Sequence, residues 1–258
     1  MSAAAPVGRL LLVPNTLDLG TDCEVPLDAV LPRGVIDHAA RLGHWVAENA
    51  KTTRALLKRV DALVPLAQPL QQVQITELPR PPKGAKPGAV PAVDWRALLA
   101  PALAGHDLGL LSEAGLPAVA DPGALLVQAA HAAGVPVLPL SGPTSLLLAL
   151  AASGLNGQSF AFVGYLPVEA AARTARIREL EALSRKHNQT QIAIETPYRN
   201  DALLGALVDA LQPGTRLSVA SGLTLPDGHC RTLAVKDWRA LNARSAGKAP
   251  AVFCWLAG

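Results

Sequence analysis

The run Asp107-Leu-Gly-Leu-Leu-Ser112-Glu113-Ala114-Gly115-Leu116-Pro117 decides the fold class, together with Asp121-Pro122-Gly123, Val135-Pro-Val-Leu-Pro-Leu140 and Ser141-Gly142-Pro143-Thr144-Ser145. Two short apolar runs, Leu108 to Leu111 and Val135 to Leu140, each end in small residues and lead into a helix-forming segment. That is the pattern of parallel βαβ units. In open α/β sheets ligands bind outside the carboxyl ends of the strands, so the turns after both runs are expected to open on one crevice. Ala, Gly and Ser at these turns leave the backbone accessible to a ligand, because no bulky side chain stands in the way. Thr144 and Ser145 suit the start of a helix, whose first N–H groups point into the same crevice. The plainer alternative is that Gly-Pro turns follow strands in many α/β proteins; the order and spacing of the blocks favour a ligand site.

Toward the N-terminus, Gly8 to Val13 reads as a central parallel strand ending at Pro14, with a ligand-facing loop to Gly20. Apolar residues recur at helical spacing from Asp28 to Leu42, and His44-Trp-Val-Ala47 reads as a second strand. Asn49 is the expected N-cap of a helix over Lys51 to Val60. Glu48, Asn49, Lys51 and Arg54 then stand at the crevice mouth, where they either position a substrate and accept its proton or form an ordinary solvated helix start. Val73 to Leu78 alternates as a strand, and Pro79 to Pro91, rich in Pro, Gly and basic residues, reads as a loop. Asp94 is expected to cap a helix over Trp95 to Leu103.

Toward the C-terminus, Gly154-Leu-Asn-Gly157 breaks the pattern and divides the chain into residues 1–154 and 155–258. Phe160 to Val163 reads as a strand, and Val168 to Lys186 as a long polar helix. Its Arg173, Arg176, Arg178, Arg185 and Lys186 form a solvated face or an RNA contact. Gln191 to Glu195 is a strand before Thr196-Pro-Tyr198-Arg199, and Asn200 to Leu211 a helix. Arg216 to Ala220, His229 to Val235 and Pro250 to Leu256 complete a sheet of mixed direction. The fold expected is two α/β domains, the first a doubly wound, mainly parallel sheet, the second a mixed sheet with helices, with the active site in the cleft between them.

Half of the 258 residues are hydrophobic, enough for a sizeable core. The formal charge of +3, from 23 basic and 20 acidic residues, permits a nucleic-acid partner without pointing to one. Cys23, Cys230 and Cys254 have no paired spacing, so neither a disulfide framework nor a zinc site is indicated, and no histidine pair suggests another metal. Met1 to Pro6 has no charged n-region before an apolar core, and the apolar run Leu146 to Ala152 is too short to span a bilayer. A soluble, cytoplasmic protein is expected.

The blocks Leu-Leu-Ser-Glu-Ala-Gly-Leu-Pro117, Asp121-Pro-Gly, Val-Leu-Pro-Leu-Ser-Gly-Pro-Thr-Ser145 and Phe160-Ala-Phe-Val-Gly-Tyr-Leu-Pro167 resemble the tetrapyrrole-methylase superfamily of S-adenosylmethionine-dependent methyltransferases. The chain is most similar to the branch of ribosomal-RNA 2′-O-ribose methyltransferases, from Gly8 to the C-terminus. The resemblance implies S-adenosyl-L-methionine as cofactor, held by Pro14, Ser112, Ala114, Gly115, Leu116, Thr144, Ser145, Ile194, Ala220, Leu223 and Ala251. Glu48 to Arg54 resembles the branch's Glu-Asp-Thr-Arg-x-Thr-Arg, with Asn49 for Asp and Lys51 for Arg, which implies Glu48 as a catalytic group and Asn49, Lys51 and Arg54 as substrate contacts. Thr196 to Arg199 resembles Ser-Thr-His-Arg, implying Tyr198 as catalytic and Arg199 as substrate-binding. A homodimer and a ribosomal-RNA partner are implied too, with no metal and no membrane.

Three departures stand out. Pro14-Asn-Thr-Leu-Asp-Leu-Gly20 replaces a glycine-rich Gly-x-Gly-Pro-Gly-Asp; a His-Asn-Glu group after the Val73 to Leu78 strand is missing; and Ser221-Gly-Leu-Thr-Leu225 replaces Arg-Glu-Leu-Thr-Lys. The last two fall on the substrate side. They leave three readings open: an RNA ribose methyltransferase, a tetrapyrrole (corrin/porphyrin) methylase, or a cofactor-binding regulatory paralogue without catalysis. Methyl transfer from a sulfonium needs the methyl held about 3 Å from its acceptor more than any covalent catalyst. A ribose hydroxyl is a poor nucleophile, which is the use a base such as Glu48 would have.

Overall fold

A computed structural model describes residues 6–18, 23–79, 93–241 and 249–258. The basic stretch read as a loop over Pro79 to Pro91 lies, apart from Pro79, outside the described residues. The described residues of Met1–Leu19 and Val25–Pro143 form one compact unit, and those of Gly20–Glu24 and Thr144–Gly258 a second.

In chain order the first unit holds β1 (Leu10–Leu12), α1 (Leu27–Val30), α2 (Arg33–Arg41), β2 (His44–Ala47), α3 (Ala50–Asp61), β3 (Gln74–Glu77), α4 (Ala100–Leu103), β4 (Leu108–Leu111), α5 (Ala124–Ala132) and β5 (Val137–Pro139). Its five strands are all parallel, in the order β3-β2-β4-β1-β5. The chain leaves β1 toward β2 on one side and later passes from β4 to β5 on the other, so the loops after β1 and β4 flank the switch point where such sheets bind ligands. Helices cover both faces. Leu11, Trp45, Ala47 and Leu111 pack with residues of α1 to α3, including Leu27, Ile36 and Leu57. Leu10, Val46, Leu108 and Leu110 pack with Ala102 of α4 and with Leu126 and Ala130 of α5. A strand buried on both faces reads as a continuous apolar run, which is why Leu108 to Leu111 carries no alternation.

Local chemistry sets the details. The helical stretch expected from Asp28 to Leu42 is two helices, because Pro32 pushes Leu31 into an extended conformation (φ −106°, ψ 131°). Asn49 caps α3 as expected, its Oδ1 accepting the N–H groups of Lys51 at 2.9 Å and Thr52 at 3.4 Å. Asp94 accepts from the N–H groups of Arg96 and Ala97, but the segment it caps begins as a 3-10 turn before α4. Gly109 leaves room for the fully buried Trp45, since a Cβ there would lie 2.6 Å from the indole ring.

The second unit contains α6 (Ser145–Ser153), β6 (Phe160–Gly164), α7 (Ala170–His187), β7 (Thr190–Glu195), α8 (Asn200–Ala210), β8 (Arg216–Ser221), β9 (His229–Ala234), α9 (Val235–Ala240) and β10 (Ala251–Leu256). Its sheet runs β6-β7-β10-β8-β9, with β6 and β7 parallel and the other pairs antiparallel. One face packs on α7, α8 and α9 through Ile177, Leu180, Leu203, Leu207 and Trp238. The other packs on α6, whose Leu146, Ala149 and Leu150 lie against Ile192, Ala220, Val252 and Cys254. Those contacts put α6 in the second unit, so the division falls at Pro143 and Thr144 rather than at Gly154. The strand expected from His229 to Val235 stops one residue early, where α9 turns Trp238 into the core and its Nε1 donates to the Leu217 carbonyl at 2.9 Å.

Candidate functional site

In the first unit the loops after β1, β4 and β5 meet. Asn15 and Gly115 bridge through Asn15 N–H to the Gly115 carbonyl at 2.9 Å, while Gly115 N–H donates to the Thr16 carbonyl. Asn15 Nδ2 also donates to the carbonyls of Ser112 at 3.3 Å and Glu113 at 2.9 Å. Gly115 has φ +67°, a conformation few L side chains adopt, and a Cβ there would lie 3.4 Å from the Pro143 carbonyl oxygen. A Cβ on Gly142 would fall 2.2 Å from Pro14 Cβ, so glycine is needed there to admit Pro14. Small residues at these turns therefore let the loops close on one another as much as they expose backbone. Asp18 is paired with Arg59, whose Nη2 also reaches the Val25 carbonyl at 2.5 Å.

At the tips of β2 and β4 stand acidic groups. Glu48 Oε2 accepts the Glu113 N–H at 3.1 Å, and Glu113 Oε1 accepts from Asn49 Nδ2 at 2.9 Å and Thr52 Oγ1 at 3.3 Å. The pKa of Asp121, in the loop before α5, is pushed up to about 7, first by burial and then by the charges of Glu48 and Glu113. Ser112 is 1% exposed and its Oγ has no hydrogen-bond partner. Ala118 and Ala120 hold φ of 65° and 64° in the same loop, a left-handed backbone that non-glycine residues visit at a cost and that clusters at functional sites.

Of the residues singled out from the sequence, Pro14, Ser112, Ala114, Gly115 and Leu116 belong to the loops after β1 and β4, and Glu48 and Asn49 to the turn from β2 into α3, tied to the β4 loop through Glu113. Asn49 caps α3 through its Oδ1 and braces Glu113 through its Nδ2. Lys51 and Arg54 are exposed on α3. Thr144 occupies the N-cap position of α6, yet its side chain makes no capping bond, so Ser145 and its neighbours open the helix without a side-chain acceptor.

In the second unit, Ile194, Val252 and Ala220 lie abreast across β7, β10 and β8 on the face packed by α6, with Leu223 beside them. Ala251 turns to the opposite face, into the core under α7 and α8. Tyr198 is 84% exposed. Arg199 is held by Glu195, Nη2 to Oε2 2.8 Å, with the Glu195 side chain 2% exposed. This pair fixes the turn after β7 and takes Arg199 out of the group of free cations. Thr224, with φ 75°, has a buried Oγ1 without a partner. An open depression of about 420 Å³ between α7 and α8 is lined by Arg173, Arg178, Gly205 and Asp209. It lies on the side of this sheet away from Ile194 and Ala220, and it gives the basic helix a recess. No group of three or more His, Cys, Asp or Glu able to hold a metal occurs among the described residues. No described helix is long and apolar enough to cross a membrane.

Nothing in the sequence pattern singles out Asn15, and Glu113 and Asp121 enter it only as motif letters. The signal for the carboxyls is Glu48 and Glu113 just past the ends of neighbouring strands, with Asp121 in the loop that follows the second.

The profile of the Tetrapyrrole (Corrin/Porphyrin) Methylases matches residues 46–237, and the chain belongs to that family. The ribosomal RNA small subunit methyltransferase I of Mesorhizobium japonicum is 38% identical over 135 residues, 52% of this chain and 45% of that protein. The protein of the same name from Escherichia coli O157:H7 is 38% identical over 151 residues, 58% of this chain and 48% of that one. The matched stretches thus span less than half of these relatives' length. Among solved structures, the methyltransferase CobJ superposes with a TM-score of 0.58 at 16% identity, over 97% of this chain and 95% of that one. The uroporphyrin-III-C-methyltransferase of Thermus thermophilus gives 0.51 at 19% identity, over 96% and 92%. At such identity these two share the fold.

Proposed function

We propose that the chain is an S-adenosylmethionine-dependent methyltransferase whose acceptor is a ribose hydroxyl of ribosomal RNA. The observation that carries this reading is the buried, unpartnered Ser112 Oγ among the joined strand-end loops of a methylase fold. A buried hydroxyl without a partner is costly, and one at a strand's carboxyl end is explained by a ligand that completes it. The residues present suit a sulfonium nucleoside. Ser112 and the backbone of Ala114 and Leu116 offer hydrogen bonds to its polar groups, Gly115 between them closes the loop against Asn15 and Thr16, and the carboxyls of Glu48, Glu113 and Asp121 favour its positive charge. When bound, such a cofactor supplies an electrophilic methyl group.

The chain's own contribution is to hold and to move a proton. Glu48 accepts the proton of the acceptor hydroxyl, and its orientation is set by the Glu113 N–H. Exposed Lys51 and Arg54 beside it, and Arg173 and Arg178 in the second unit, meet phosphates of the RNA. The names of the two relatives support RNA over a tetrapyrrole as acceptor. We also propose a homodimer: Leu147 and Leu148 on the outer side of α6, 49% and 37% exposed, supply an apolar surface for self-association, and sedimentation reads it.

Radiolabelled methyl transfer to RNA extracted from cells lacking the corresponding modification tests the reading. Label in the ribose fraction of a digest is expected. Label in added corrinoid or porphyrin precursor and none in RNA would overturn the acceptor and leave the cofactor standing.

A further inference from the structure

The acidic tips of β2 and β4 do more than supply one base. Val46 and Leu110 share one core cluster, while Ala47 and Leu111, which are in register, share the other. By strand alternation the next pair, Glu48 and Ser112, returns to the Val46 and Leu110 face, and the Glu48 N–H bond to the Leu111 carbonyl at 3.0 Å continues the ladder to that point. Gly123 lies against the same face, since a Cβ there would be 2.9 Å from Leu110 Cδ2. Asp121, two residues earlier in the same loop, is partly buried within reach of the charges of both Glu48 and Glu113, and the unpartnered Ser112 Oγ belongs to the residue before Glu113, just past the end of β4. The charged groups acting on Asp121 are Glu48 from the end of β2 and Glu113 from the end of β4; the first turn of α5 brings only Ala124, Leu125, Leu126 and Val127.

We propose that Asp121 reads the charge on the ligand's sulfur: the cationic methyl donor binds with loss of one proton from this cluster, and the neutral thioether product binds without it. This rests on the reading of the chain as a sulfonium-dependent methyltransferase. Three carboxyls in a partly buried cluster cannot all ionise cheaply, so one retains its proton. With its pKa pushed up to about 7, Asp121 is that one, and near neutral pH it is poised to respond. A positive sulfur in the cluster offsets the repulsion, and the Asp121 O–H proton passes to solvent. When the acceptor's O–H bond breaks, its O–CH3 bond forms and the S–CH3 bond breaks, the sulfur becomes neutral and the acceptor's proton restores the cluster through Glu48. With that proton back, the cluster holds no net preference for the neutral sulfur, so it favours donor over product.

Calorimetric titration of S-adenosylmethionine and of S-adenosylhomocysteine into the full chain, each in two buffers of different ionisation enthalpy at about pH 6 and about pH 8, counts the protons. For the wild type, donor binding is expected to release close to one proton at the lower pH and to tighten by up to about tenfold as pH rises through 7. The product is expected to do neither. Asp121→Asn, a neutral mimic of the protonated group, should lose the donor's proton release and its pH dependence. Glu113→Gln keeps an acceptor for Asn49 and Thr52 and should move the release to lower pH, which serves if Asp121→Asn does not fold. Equal proton release by donor and product, or release that persists in Asp121→Asn, or no movement in Glu113→Gln, overturns the proposal while leaving the methyltransferase reading intact. Binding of neither ligand overturns both.

Discussion

The two sheets differ at the carboxyl ends of their parallel strands. In the first unit the tips of β1, β2 and β4 are braced by polar groups: Asn15 clamps the carbonyls of Ser112 and Glu113, and Glu48 and Asn49 hold Glu113. In the second, Ile194 and Ala220 form an apolar row, and the ion pair of Glu195 with Arg199 closes a turn. Polar groups that brace one another cost the fold less than isolated ones, yet a cluster of like charges with an orphaned hydroxyl remains expensive. The first unit keeps that expense, and the proposed site is placed there for that reason.

Variants that strike each side separately sharpen the contrast. Glu48→Gln preserves an acceptor for the Glu113 N–H, so it is expected to lower methyl-transfer turnover by about a hundredfold or more, well beyond the loss of cofactor affinity that follows from removing one negative charge, while the melting temperature holds; turnover that falls only in step with affinity would remove its assignment as base. Two substitutions test the cores. Gly109→Ala drives a methyl into Trp45 and should cost about 1–3 kcal/mol. Glu181→Ala, in the second unit, strands the Gln212 N–H and the Thr215 hydroxyl that its carboxylate accepts, and should cost about 2 kcal/mol. Denaturant melts read both, and equal stability to the wild type would contradict the packing described.

Smaller effects follow from the loop before α5. Because the folded-state pKa of Asp121 lies above its ordinary value, the folded chain holds a proton that the unfolded chain has released between about pH 4 and 7. The group's contribution is therefore full below the unfolded value and is lost as pH rises through about 7. Asp121→Asn should be the more stable protein at about pH 8, by on the order of 1 kcal/mol after solvent screening, with the difference vanishing near pH 4. A wild type equally stable relative to the variant at both pH values would remove the strain assigned to this carboxyl. Smallest is Ala118→Gly, which relaxes a left-handed alanine and should raise stability by about 0.5–1 kcal/mol in thermal melts.

Much of the first sheet was legible because its signals are local. Trp45 and its neighbours, Leu108 to Leu111 and the Asn49 cap read correctly from apolar runs and one polar residue at the right spacing. What depended on distant partners did not. That α6 belongs with the second unit follows from Ile192 and Val252 meeting Leu146 and Leu150, contacts no local pattern announces. The resemblance implies Arg199 as substrate-binding, and only the turn from β7 into the next helix brings Glu195, four residues away, against it. Asn15 was invisible for the same reason, since its work is done on a loop 97 residues further along the chain.

The most direct test pairs cofactor affinity with stability in Ser112→Ala. A hydroxyl that is buried and unpartnered contributes nothing to the fold, so its removal is expected to leave the melting temperature unchanged or raised while weakening S-adenosylmethionine binding by about tenfold in a calorimetric titration. Unchanged binding together with a lower melting temperature would make Ser112 a structural residue and contradict a ligand site at the end of β4.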